Sequence, residues 1–187
     1  MMKYITKTDL YIVSRYSGVV MICVGLMCLF PLIIDLIYFE FNYACFIIPG
    51  VFSVILGYIC MKSLDKYSNS KMRLKHGMMI SSIAWMWASV IGGVVISLAT
   101  GTDFLNGIFE STSALTGTGI TMFDNVEILP HSILYFRAFE QWVGGLGVVV
   151  MMIGILTRPG TASAKLYQSE AREERLKPSV KTTLKKT

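Results

Sequence analysis

Four stretches of this sequence, residues 16–34, 41–61, 77–102 and 141–157, contain no Asp, Glu, Lys or Arg. At about 1.5 Å of rise per residue, a helix of roughly 20 residues spans a hydrocarbon layer about 30 Å thick. Each stretch therefore approaches or crosses that thickness, the last by extending upstream to about residue 133. The sequence predicts an all-α integral membrane protein with four spans. Its apolar share of 53% exceeds that of an average soluble domain. The first run follows Lys3, Lys7 and Arg15, as a signal peptide would. It is too long for one and no small-x-small cleavage site follows it, so it reads as an anchor and a true span.

The formal charge of +5 would suit a nucleic-acid partner if the basic residues clustered on one folded face. Their positions argue otherwise. With four spans, every Lys and Arg except Arg137 falls on one side, while Asp35, Glu40, Asp103, Asp124 and Glu127 fall on the other. That is the positive-inside pattern, with both termini cytoplasmic, a multi-pass protein of the cell (plasma) membrane and no nucleic acid.

Three segments are expected along the chain. Residues 1–71 form a two-helix hairpin that turns outside at "DLIYFEFN", whose aromatic residues suit the membrane interface; Pro31 and Pro49 lie inside its helices and are expected to kink them. Residues 72–160 form a unit of helix, loop and helix, in which Gly92 and Gly93 permit close approach of a neighbour. Residues 161–187 form a basic cytoplasmic connector, which meets solvent, anionic lipid or a cytosolic partner.

Between residues 100 and 133 the chain starts and ends outside. "TDFLNGIFESTSAL" offers Thr102 or Asp103 as an N-cap and spaces Phe104, Ile108 and Leu115 at helical intervals. A helix of about 13 residues is about 20 Å long, too short to cross. The six residues Thr116 to Thr121, if extended, climb back about 20 Å. The lengths predict a re-entrant loop, with Asp103 and Glu110 on its short helix. Non-helical backbone at that depth survives only where protein buries it or where it lines a filled cavity. In "TGTG", glycine permits positive φ, and alternating left- and right-handed conformations turn successive carbonyls to one side, where they can replace the water around a cation. The plain alternative is a flexible outside loop, the usual fate of Gly/Thr clusters.

The last helix carries Gly144, Gly145, Gly147 and Gly154, which implies a close packing face or a flexible gate. Upstream, Arg137 and Glu140 either pair within the protein or reach to water. Cys23, Cys28, Cys45 and Cys60 all fall within expected spans and read as small apolar packing residues. His76 and His131 have no neighbouring ligand type in sequence. No Ser/His/Asp, Walker or paired-carboxylate pattern is present, so nothing supports an enzyme.

"FESTSALTGTGIT", "LPHSILYFRAFEQWVGGLGVVVM" and "KLYQSEAREERLKPSV", in that order and spacing, closely resemble the pore-forming subunit of the Trk/Ktr/HKT potassium-transporter superfamily. The N-terminal hairpin looks like the extra helix pair of the Trk branch. The resemblance implies four repeats of helix, pore loop and helix around one pore that passes potassium inward, homodimers, and a cytosolic ring of nucleotide-binding regulatory subunits. It places the selectivity filter at Thr116, Gly117, Thr118, Gly119 and Ile120, with backbone oxygens as the potassium ligands and Gly119 as the signature glycine. In plant relatives serine there goes with sodium preference, so glycine favours potassium. No covalent cofactor is implied. One departure is large, because a single repeat is present where the superfamily has four. Either the chain is the N-terminal portion of a longer polypeptide, or it is a small channel that assembles as a homotetramer; a non-conducting membrane scaffold or regulator is the reading from outside transport.

Overall fold

The computed structural model describes residues 7–63 and 74–156. They form six helices: α1 Lys7–Met27, α2 Pro31–Tyr38, α3 Tyr43–Ser63, α4 Leu74–Thr100, α5 Phe104–Thr116 and α6 His131–Leu156, with a 3-10 turn at Val126–Ile128. Among the described residues there is no β-strand or β-sheet. Three stretches, Thr8–Tyr38, Tyr43–Lys62 and Lys75–Thr100, are long and apolar enough to cross a membrane. The expected basic connector at 161–187 lies outside the described residues, as does most of the basic inside loop. The chain divides into compact units Met1–Gly145 and Leu146–Thr187; the packing below concerns the first, and the second contributes residues 146–156 of α6 to the described chain.

Pro31 does more than kink a helix. Lacking an N–H, it ends the ladder of α1. Leu29 N donates to Leu26 O at 3.0 Å and Phe30 N to Met27 O at 3.3 Å, three-residue closures that end the α pattern. Pro31 then opens α2 at its first turn, where a missing N–H costs nothing. Pro49, by contrast, stays inside α3. The hairpin turns where the sequence predicted, pinned by Asp35, whose Oδ1 accepts Asn42 N at 3.0 Å.

Small residues bring α1 and α3 together. A Cβ on Gly18 would stand 2.6 Å from Gly57 O, and one on Gly25 would stand 2.5 Å from Gly50 O. Where lipid is as apolar as any side chain, this backbone-to-backbone approach supplies the dispersion contacts that hold two helices. Trp87 Nε1 of α4 donates to Ser53 Oγ at 2.8 Å, and Ser53 Oγ donates to Met21 O at 2.7 Å. One chain of hydrogen bonds thus crosses α4, α3 and α1. The apolar core continues from the hairpin into the second half, with Met27, Phe46, Val95, Leu115, Ile133 and Phe136 in one cluster.

The hairpin is latched to the rest of this unit near both ends of the bundle. At one, Asp9 Oδ1 meets His76 Nε2 at 2.8 Å, and its other oxygen pairs with the Lys75 ammonium. At the other, Glu40 reaches the start of α6. Its Oε1 accepts His131 N at 2.5 Å and contacts His131 Nδ1 at 2.9 Å. Its Oε2 accepts Ser132 N at 3.0 Å and Ser132 Oγ at 2.6 Å. Glu40 is an N-cap supplied from 91 residues away, satisfying donors that a helix start leaves open.

Burial alone would raise the pKa of Glu40, but the hydrogen bonds from Ser132 and His131 outweigh it and hold the carboxyl below its ordinary value of 4.5. A depressed folded-state pKa contributes stability that is fully present above the unfolded value and is lost as pH falls through the folded one. Thermal unfolding of the detergent-solubilised protein should therefore lose stability on acidification below about pH 4.5, and Glu40→Gln should flatten that slope. An unchanged acid slope in the variant would refute the assignment.

Candidate functional site

The predicted short helix is present as α5, Phe104–Thr116. It lies against α4 because both helices lack side chains at the contact. A Cβ on Gly93 would come within 2.7 Å of Ile108 N, and one on Gly107 would come within 2.4 Å of Gly93 O. On its other side α6 approaches equally closely, since a Cβ on Gly144 would stand 1.9 Å from Leu115 O. Of the glycines expected to pack or gate, Gly144 is thus buried against α5. Gly145 has open space around it, and Gly147 is exposed. Asp103 occupies the N-cap position of α5, but its side chain makes no capping bond. It adds a negative charge beside the helix N-terminus, where the dipole favours one.

Thr116 is still helical, so the return begins one residue later than the length arithmetic assumed. The helix ends at Gly117, with φ of 71°, in a Schellman pattern. Gly117 N donates to Ala114 O at 3.0 Å and Thr118 N to Ser113 O at 3.0 Å. Gly119 also has positive φ, 74°, while Thr118 and Ile120 do not. Left-handed and ordinary conformations therefore alternate through 117–120. Thr116, Gly117, Thr118, Gly119 and Ile120 are all exposed on this chain.

Behind this segment α5 supplies a polar cradle. Ser113 Oγ donates to Ile120 O at 2.6 Å. The Ile120 carbonyl is thereby engaged with the helix, and of the five residues expected to face an ion it is the one whose oxygen is held from behind. Glu110, wholly buried, accepts Thr121 Oγ1 at 2.7 Å and also the Met122 N–H. Its other oxygen pairs with Arg137 Nη2 of α6 at 2.7 Å. Arg137 also lies over the Phe123 ring, 5.9 Å from its centroid. This settles the choice left open for Arg137, which pairs inside the protein instead of extending to water.

The arrangement is a short helix whose C-terminal end runs on into an exposed irregular segment of alternating backbone handedness, with a buried ion pair holding that segment's far end. It presents backbone oxygens and the partial negative charge of a helix C-terminus, features suited to a cation rather than to covalent chemistry.

The profile of the family described as TrkH, cation transport protein, matches residues 46–187, more than half of the chain. The chain belongs to the TrkH cation transport family. It is 40% identical over 182 residues to an uncharacterized cation transporter of Methanocaldococcus jannaschii, covering 97% of this chain and 38% of that relative. It is 31% identical over 178 residues to the Trk system potassium uptake protein TrkG of Escherichia coli K12, covering 92% of this chain and 36% of that relative. With the Trk system potassium uptake protein TrkH of Halomonas elongata it shares 28% identity over 184 residues, covering 95% of this chain and 38% of that relative. The chain thus spans under two-fifths of the length of these relatives.

The short helix α5 was legible in the sequence, but most of the side chains that brace the segment after it were not. No motif marks Ser111, Ser113 or Thr121, which bond Glu140, Ile120 O and Glu110 respectively. The spacing held a usable signal, since serines at 111 and 113 and a glutamate at 110 crowd the last two turns of a helix flanked by apolar spans. Polar side chains there need partners when buried, and the segment that follows is the nearest source of them.

Proposed function

We propose that this chain builds one quarter of a potassium-conducting pore for uptake of the ion across the cell membrane. The observation that carries the reading is the alternation of positive φ at Gly117 and Gly119 on an exposed segment that α5 braces from behind. Alternation of this kind turns consecutive carbonyls toward one side, where they replace an ion's hydration shell. The ligand set is the backbone oxygens of Thr116, Gly117, Thr118 and Gly119, with Ile120 as the anchor that Ser113 holds.

In this reading α6 is the fourth span, both termini are cytoplasmic, and 104–121 is a re-entrant loop in a multi-pass protein. Residues 1–71 are an N-terminal hairpin, 72–160 the first pore repeat and 161–187 a basic connector. The exposure of the whole 116–120 segment supports the need for three further pore-loop segments, in the same polypeptide or in other copies. Relatives named as potassium uptake proteins of a Trk system support the ion, and their membership of a system supports partner subunits. A homodimer and cytosolic nucleotide-binding regulators fit that role.

The test is Gly119→Ser in the transporter that contains this chain, expressed in a host that lacks potassium uptake. A side chain at φ near +74° costs about 1–2 kcal/mol of strain, so potassium uptake or its preference over sodium should fall about 5- to 30-fold. Unchanged uptake and preference in this variant would remove the filter assignment.

A further inference from the structure

The buried cluster behind α5 holds one more carboxylate than cation. Glu110 and Arg137 match each other at 2.7 Å. Glu140, one turn further along α6, is also wholly buried. Its Oε1 accepts Ser111 Oγ at 2.6 Å, and its Oε2 is sealed from solvent with no hydrogen-bond partner among the described residues. The cavity it fills exists because α4 has a glycine there. A Cβ on Gly92 would stand 2.1 Å from Glu140 Oε1 and 2.2 Å from Ser111 Oγ. Both α4 and α5 have therefore been shaped around a side chain that the Glu110–Arg137 pair does not require.

Ser111 sits two residues before Ser113, whose hydroxyl holds Ile120 O at 2.6 Å and whose carbonyl accepts Thr118 N at 3.0 Å and Gly119 N at 3.5 Å. A helix moves as a rigid unit over so short a distance, so a shift at Ser111 passes undiminished to the segment. We propose that Glu140 is a positioning residue for ion discrimination, which fixes the height and rotation of α5, and with it the 117–120 segment, through its hydrogen bond to Ser111. Its task is to accept that bond, since the charge of Arg137 is already matched by Glu110. This rests on the pore reading above, and nothing in that reading requires it.

The test compares Glu140→Gln, Glu140→Leu and Ser111→Ala in the transporter that contains this chain, reading potassium and sodium uptake together with the amount of folded protein. The Gln amide oxygen still accepts from Ser111, so Glu140→Gln should keep both uptake and discrimination. Glu140→Leu and Ser111→Ala should lose discrimination by about tenfold, the order expected for one buried hydrogen bond, at normal folded yield. Folded Glu140→Leu protein with unaltered discrimination would overturn the proposal, and so would Glu140→Gln as damaged as Glu140→Leu. Should Glu140→Leu not fold, Ser111→Ala decides alone, with unaltered discrimination overturning the proposal. Hydrogen–deuterium exchange over residues 113–121 gives a readout independent of transport. Faster exchange at Thr118 and Gly119 in Ser111→Ala but not in Glu140→Gln supports the proposal, and equal exchange in both overturns it. Absence of uptake by the unaltered transporter would strike the pore reading, leaving the exchange result to decide this one.

Discussion

Replacing Arg137 with Met is expected to abolish potassium uptake and to reduce the yield of folded transporter. Glu110 is almost completely buried beside it, with 1% of its side chain exposed, and Arg137 Nη2 at 2.7 Å is its cationic partner. Removing one member of a buried pair leaves the other uncompensated, at a cost of about 3–5 kcal/mol. That is a large share of the roughly 5–15 kcal/mol that holds a typical domain together. In the pore reading proposed above, the loss falls on the segment that carries the ion ligands, because the same carboxylate holds Thr121 Oγ1 at 2.7 Å. Arg137→Lys retains the charge but not the planar fork, and should recover folding better than uptake. The double variant Arg137→Met with Glu110→Gln should be less damaged than the sum of the two singles, a coupling that only direct interaction produces. Uptake and yield in Arg137→Met equal to those of the unaltered protein would show that the pair does not hold the segment.

The second large effect is expected at Gly144. A methyl group there would stand 1.9 Å from Leu115 O and 2.7 Å from Leu115 C. Both are backbone atoms of α5, which cannot rotate aside as a side chain could. Gly144→Ala must push α5 and α6 apart, and overpacking of this kind costs about 1–3 kcal/mol. The expected result is loss of most uptake, with thermal stability reduced. Gly145→Ala is the internal control, since nothing lies within 4 Å of its Cβ position and alanine favours a helix by about 1 kcal/mol over glycine. Equal stability of the two variants would contradict the close approach.

What the sequence made legible was local. Lengths of uncharged runs located α1, α3 and α4, and the spacing of Phe104, Ile108 and Leu115 located α5, because both signals repeat within a few turns of the same helix. The glycines at 117 and 119 announced their backbone conformation, since no other residue adopts positive φ without strain. Partner choice across the fold was not legible. Glu40 looked like an ordinary acidic residue in an outside turn, and nothing near it in sequence names His131 and Ser132. Gly18, Gly25, Gly50 and Gly57 passed unremarked because a glycine's packing role depends on the helix opposite. Arg137 left two fates open because an arginine near an interface pairs or reaches to water according to which groups the fold brings to it. Pro31 signalled a disturbance, but whether a helix bends or restarts is decided by the closures at Leu29 and Phe30.

The cap that Glu40 places on α6 also has a tempo. A ribosome adds about 5–20 residues each second, and Glu40 and Ser132 are separated by 92 positions, so the carboxylate is made on the order of 5–20 s before its last donor exists. Helix formation in a segment of about 20 residues takes about 0.1–1 μs. The helices of the hairpin are thus complete, with their glycine faces formed, long before α6 emerges. They then stand as a finished wall against which the later helices dock, and α6 arrives at a berth already waiting.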